Sequence, residues 1–257
     1  MKASPMRGLN YLARGFSLIT TPGLRLFVVI PLIINSVIFA LLISLSLSQF
    51  GAWIDQLMGW LPAWQWLDFL RWILWPLAVS LLLVVVMYSF SIIANIVASP
   101  FNGLLAEKVE QHLLGREVLA QESITQALKD APRSVAKEFQ KLAYYLPRAL
   151  LVTLASVVLS FIFPPAASAL WFTFGAWMMA LQYCDYPMDN HKKSLNQVKQ
   201  HIGEHRMTSL GFGAGVMLGT MIPIVNFVIM PVAVCAATIY WVEELRGDSG
   251  LQLPTKA

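Results

Sequence analysis

Pro22-Gly23-Leu24-Arg25 is the first segment in which residue types combine into a plausible reagent. Pro22 and Gly23 punctuate the chain, and Leu24 opens a long apolar stretch. The first N–H groups of a helix lack partners within it, so Gly23 and Leu24 are expected to present free donors at its positive end. Arg25 adds a guanidinium with a fixed fork of donors, and a glycine leaves the approach open. Together they suit a tetrahedral oxyanion. The same residues also suit an ordinary helix start with a basic flank, and spacing alone leaves both readings open.

A second concentration of polar groups is Cys184-Asp185-Tyr186-Pro187-Met188-Asp189-Asn190-His191. Two acids and a histidine could hold a metal or relay protons. Pro187, however, is expected to break the helical alignment of Asp185 with Asp189, which favours a turn. Glu107, after Pro100-Phe101-Asn102-Gly103, is expected near a helix start, where a carboxylate meets the dipole favourably. Lys129, Arg133, Lys137 and Lys141 recur every four residues as a basic stripe. Contact with anionic lipid headgroups is expected of them, a vestibule that gathers anions being the other reading. Gly211, Gly215 and Gly219 share a four-residue spacing that lets helix backbones approach closely. Asn95 and Asn226 sit in apolar stretches and are expected to bond between helices. The chain has no GxxxxGK[ST], HExxH, G-x-S-x-G or CxxC motif. No enzymatic site, cofactor or metal is therefore expected.

The elements that must position these residues follow from hydropathy. Of the 257 residues, 57% are hydrophobic and only 12% charged, against about 25% charged in a typical soluble domain. No Asp, Glu, Lys or Arg occurs in 26–54, 72–106, 149–184 or 207–242. Each range exceeds the roughly 20 apolar residues that cross a bilayer. An all-α integral membrane protein is expected. No short apolar segment with a small-residue cleavage site precedes Arg25, so no cleavable signal is expected. Cys184 and Cys235 lie in apolar stretches and are expected to be buried small hydrophobes. The net charge of +4 includes no long basic run, which argues against nucleic acid.

In order, residues 7–19 are expected as an interfacial helix, with Leu9, Leu12, Phe16 and Ile19 on one face and Arg7 and Arg14 opposite. Residues 24–50 and 71–98 are expected as transmembrane helices, joined by a periplasmic loop over 51–70 rich in tryptophan. Residues 101–147 form a cytoplasmic helical region, opened by the capping-box spacing of Ser123 and Gln126 and interrupted by Pro132. Pro164-Pro165 divides 148–184, and Pro223 and Pro231 interrupt 207–242. Two full spans with a turn need about 44 residues, and neither stretch has them. Cut at the prolines, 149–163 rises only about 22 Å at 1.5 Å per residue. The Lys/Arg-rich segments 1–25, 101–148 and 185–206 all favour the cytoplasm, so both stretches must enter and leave on that side. Two Pro-broken re-entrant hairpins satisfy this, with 185–206 as a cytoplasmic loop and 243–257 as a cytoplasmic tail. Two thin, tilted pairs of spans satisfy it as well.

Five segments, taken in order, resemble the CysZ family of bacterial sulfate permeases. They are Pro22-Gly23-Leu24-Arg25, Pro100 through Glu107, Tyr145-Leu146-Pro147-Arg148, Gln182 through His191, and Met221-Ile222-Pro223 through Met230-Pro231-Val232-Ala233-Val234-Cys235. The resemblance spans nearly the whole chain. It implies proton-dependent sulfate uptake across the inner membrane for sulfate assimilation and cysteine biosynthesis. It also implies two long transmembrane helices, two hemi-penetrating hairpins and a homo-oligomer in the lipid bilayer. The family's sulfate site corresponds to Gly23, Leu24 and Arg25. Some members carry a second arginine where this chain has Leu26, which removes one donor. Two other classes remain in view. A non-transporting scaffold would explain every feature except the Pro22–Arg25 segment. A membrane transferase would need a metal on Asp185 and Asp189.

Overall fold

The computed structural model describes residues 3–59, 101–115 and 124–246, with 72, 75–77, 79–81 and 83–84. Among the described residues the secondary structure is helical, without a strand. The helices are α1 (Pro5–Leu18), α2 (Arg25–Gly59), α3 (101–114), α4 (Ile124–Ile162), α5 (Pro164–Asn190), α6 (Leu195–Glu204), α7 (Arg206–Met221) and α8 (Pro223–Tyr240). A π-helical turn, Trp241–Leu245, continues α8. Arg25–Ser46, Ala136–Ile162 and Val228–Leu245 are long and apolar enough to cross a membrane. The chain is an all-α membrane protein. Ser123, Asn95, Pro100 and most of the 51–70 and 71–98 segments lie outside the described residues.

The chain divides into two compact units, Met1–Val28 with Pro100–Ala257, and Val29–Ser99. In the second unit, α2 continues through 51–59, where a loop was expected. No proline occurs there, Gly59 is the last helical residue, and an interior glycine such as Gly51 costs a helix only about 1 kcal/mol. Among the described residues of the Arg25–Ser46 span none is buried. Ser36 and Ser48 turn their hydroxyls back onto the Leu32 and Leu45 carbonyls, and Leu32, Ile33, Val37, Leu41 and Leu45 present apolar side chains outward. That surface suits hydrocarbon.

In the first unit the chain breaks at two of the expected prolines. Phe163 (φ −153°, ψ 88°) precedes Pro164, and Ile222 (φ −95°, ψ 112°) precedes Pro223. Proline disfavours the helical conformation of the residue before it, and itself suits the first helical turn. Four other prolines of this unit do not end helices. α4 runs through Pro132 and Pro147, α5 through Pro187 and α8 through Pro231. A membrane helix absorbs such a loss when neighbouring helices enclose it, and Val232 through Ala237 behind Pro231 are fully buried. The apolar 149–162 segment is thus the end of a 39-residue helix, so shortness does not by itself exclude a crossing by α4.

Close backbone approach organises the core. A Cβ on Gly8 would strike the backbone of Thr208 and Phe212, one on Gly211 that of Pro5, and one on Gly213 that of Ala176. Gly215 makes room for Leu9 and Leu12, and Gly219 for Ile229. The glycine spacing on α7 therefore does admit α1 and α8. The buried side of α1 is Gly8, Tyr11, Leu12 and Gly15, whereas Leu9 and Phe16 are exposed. The expected apolar face is rotated because the glycines, not the largest side chains, mark the contact. Asn226 is exposed near the start of α8 rather than held between helices. Cys184 and Cys235 are free and buried.

Candidate functional site

The α1–α2 junction is a tight turn. The Thr21 carbonyl accepts from the Leu24 N–H at 3.1 Å and the Arg25 N–H at 3.3 Å. The Leu24 side chain is anchored in the core at 3% exposure. Leu24 is therefore not the free donor that its position suggested, because the turn already uses its amide. Gly23 and Arg25 are exposed. Gly23 has φ +92°, which side-chain-bearing residues rarely adopt, and a Cβ there would meet nothing within 4 Å. Its glycine is required by backbone conformation rather than by crowding. What remains accessible is the Gly23 backbone and the Arg25 guanidinium at the positive end of a 35-residue helix.

The second concentration is more closely knit than expected. Because α5 continues through Pro187, Asp185 and Asp189 stand one helical turn apart on the same face. Lys137 Nζ bridges them, at 2.5 Å from Asp185 Oδ1 and 2.9 Å from Asp189 Oδ1. Lys141 reaches Asp185 Oδ2 and Glu138 Oε1, each at 2.7 Å. Arg133 reaches Asp189 at 2.7 Å. Lys137, Lys141 and Asp185 are buried, and such charges persist only when paired. These three members of the basic stripe thus face acids of α5 rather than headgroups; the side chain of Lys129 lies outside those described.

Below this network α5 docks on α3. Asn190 Nδ2 donates to the Gly103 carbonyl at 2.8 Å. His191 Nε2 lies 2.8 Å from Glu110 Oε2, and Arg246 lies 3.8 Å from Glu110 Oε1. Glu107 sits in the second turn of α3, buried, and accepts from Gln111 at 2.8 Å. Among the described residues no three His, Cys, Asp or Glu side chains are grouped to hold a metal ion. No motif in the sequence singles out Glu110. Its signal was an acid interrupting the apolar face of Leu105, Ala106 and Val109.

A latch between α1 and the π turn is likewise announced by no motif. Arg14 makes a two-pronged bond to Glu243 at 2.6 and 2.9 Å. Arg7 lies 3.0 Å from Glu244, whose Oε1 accepts from the Tyr11 hydroxyl at 2.9 Å. Burial, then Glu244, pushes the Tyr11 pKa up, so the hydroxyl remains a donor at neutral pH. Tyr11 also stacks on Tyr240, ring centroids 5.1 Å apart. The π turn brings Glu243 and Glu244 to α1, and no helical wheel drawn at 3.6 residues per turn would do so.

The sequence comparisons agree with one another. Residues 11–231 match the family model described as sulfate transporter CysZ/etoposide-induced protein 2.4. The chain is 48% identical over 248 residues to a sulfate transporter CysZ of Pseudomonas paraeruginosa, covering 96% of this chain and 98% of that one. It is 46% identical over 251 residues to a sulfate transporter CysZ of Pectobacterium atrosepticum, covering 97% and 89%. Against that of Pseudomonas syringae pv. tomato it is 46% identical over 252 residues, covering 97% of each. The chain belongs to the sulfate transporter CysZ/etoposide-induced protein 2.4 family.

Proposed function

We propose that this protein is a transporter, not an enzyme, and carries sulfate across the bacterial inner membrane to supply sulfate assimilation and cysteine biosynthesis. The observation that carries this reading is the 46–48% identity over at least 96% of the chain to proteins named sulfate transporters. Sulfate is met at Gly23 and Arg25, with the Leu24 amide contributing if the Thr21 bond opens. The termini and the Lys/Arg-rich segments lie in the cytoplasm, so Arg25 meets sulfate arriving or held on that side. Both hairpins are re-entrant and pack as a homo-oligomer. Their tips favour this, since Phe161, Ile162 and Phe163 are 87%, 74% and 60% exposed, and Met221 and Ile222 also face outward. A complete crossing would lift those side chains into water.

Bringing two negative charges inward against −100 mV costs about 4.6 kcal/mol, at 2.3 for each charge. Proton symport offsets that cost. Labelled-sulfate uptake into proteoliposomes, comparing wild type with Arg25→Ala at equal incorporation, tests the reading. Wild-type uptake that the variant loses is expected. Uptake surviving in the variant moves the site elsewhere, and none by wild type, with or without a proton gradient, leaves the scaffold.

A further inference from the structure

A groove of about 510 Å³ lies between α4, α5 and α7, apart from both polar clusters above. Thr153, Ser156 and Ser160 of α4 and Ser168 of α5 supply its hydroxyls, and apolar side chains, Trp171 and Met217 among them, make up the rest of the lining. The three α4 residues fall within the membrane-length segment Ala136–Ile162. At i, i+3 and i+7 they make one helical face. In hydrocarbon a hydroxyl normally donates to its own helix, and two of them do: Thr153 to the Ala149 carbonyl at 2.8 Å and Ser160 to the Ser156 carbonyl at 2.7 Å. Ser156 does not. It is 7% exposed, and its Oγ has no hydrogen-bond partner. An unpartnered buried hydroxyl is a cost the fold carries unless something arrives to accept its proton.

We propose that this groove holds a tetrahedral oxyanion with its water at bilayer depth, the hydroxyls of Thr153, Ser156, Ser160 and Ser168 acting as donors. The proposal rests on the sulfate reading and gives that path a second station. Ser156, whose Oγ is closed off in this conformation, offers its proton on turning toward the groove, without losing any other bond. Thr153 and Ser160 can swing theirs over cheaply, because each carbonyl they leave sits in α-helix and keeps its own N–H. Neutral donors suit a passage better than lysines would, since a station must replace part of the hydration shell without trapping the ion. The volume far exceeds the about 30 Å³ of one water, so partial rather than complete dehydration is accommodated.

Cysteine accessibility in proteoliposomes tests this on the intact protein, since native Cys184 and Cys235 are both 0% exposed. Ser156→Cys and Ser168→Cys are treated with a charged, water-soluble methanethiosulfonate. The control is Leu151→Cys, an exposed α4 position outside the groove. Ser168→Cys, exposed in the groove, is expected to label about tenfold faster than Leu151→Cys, because thiolates form in water and not in hydrocarbon. Ser156→Cys is expected to label more slowly than Ser168→Cys, because its side chain must first turn out. Sulfate, but not chloride, is expected to slow them. If Ser168→Cys labels no faster than the control, the groove is filled by lipid or another copy and the proposal is overturned. Fast labelling that sulfate does not slow overturns the oxyanion contact. Protected labelling in a protein that takes up no sulfate would sink the transport reading and leave this site standing.

Discussion

Asp185 holds two lysines in a region from which water is largely excluded, and each of those lysines has a second acid, Asp189 or Glu138. Neutralising the shared member leaves two buried cations with one acid each. Asp185→Asn is expected to cost about 3 kcal/mol, the scale of breaking a buried pair, read as a lower melting temperature in detergent. Lys141→Met together with Asp185→Leu should recover part of the loss, because an apolar pair needs no such compensation. At this scale the sequence was half legible. The four-residue spacing of Arg133, Lys137 and Lys141 announced a shared face, but nothing local announced the partners. Glu138 lies on the same helix, but Asp185 and Asp189 lie on another, either side of a proline expected to break it. Arg25 is the opposite case: its exposure follows from its place at a helix start, and the Arg25→Ala uptake measurement tests its role directly.

Between elements the decisive contacts are backbone to backbone. Gly211→Ala drives a methyl into the Pro5 backbone, and overpacking of this kind costs about 1–3 kcal/mol. The expected signature is cleavage by added protease near Pro5 under conditions where the wild type is resistant. The latch through Tyr11 has its own dependence on pH. The unfolded chain gives up a tyrosine proton near pH 10.0, whereas the folded site holds it to higher pH. Its stabilisation is complete below pH 10.0 and declines as pH rises further. Tyr11→Phe should therefore melt below wild type at neutral pH, with the gap narrowing in alkaline buffer; a constant gap would contradict the protonated latch. The helix breaks at Pro164 and Pro223 and the glycine spacing were legible because each follows from local sterics. The rotated face of α1, the long α4 and the π turn were not. They are settled by what packs against them.

At the scale of the whole molecule, the hairpin tips are the sharpest discriminator between re-entrant loops and complete spans. A spin label on Phe161→Cys is expected to relax faster with dissolved oxygen than with an aqueous nickel chelate, which places the tip in hydrocarbon; the reverse ratio would mean that the helices cross. The Lys137–Asp185 bridge has a further consequence in time. During synthesis Lys137 and Lys141 emerge well before Asp185, a gap of roughly 2–10 s at translation rates of about 5–20 residues per second. For that interval they are unpaired positive charges beside a nascent apolar helix, the signal that holds a segment in the cytoplasm. When α5 arrives, its acids cancel that signal. On the proposed orientation, the same two lysines would steer the chain while it is being made and then fall silent in the finished protein, a charge pattern that the folded molecule no longer displays.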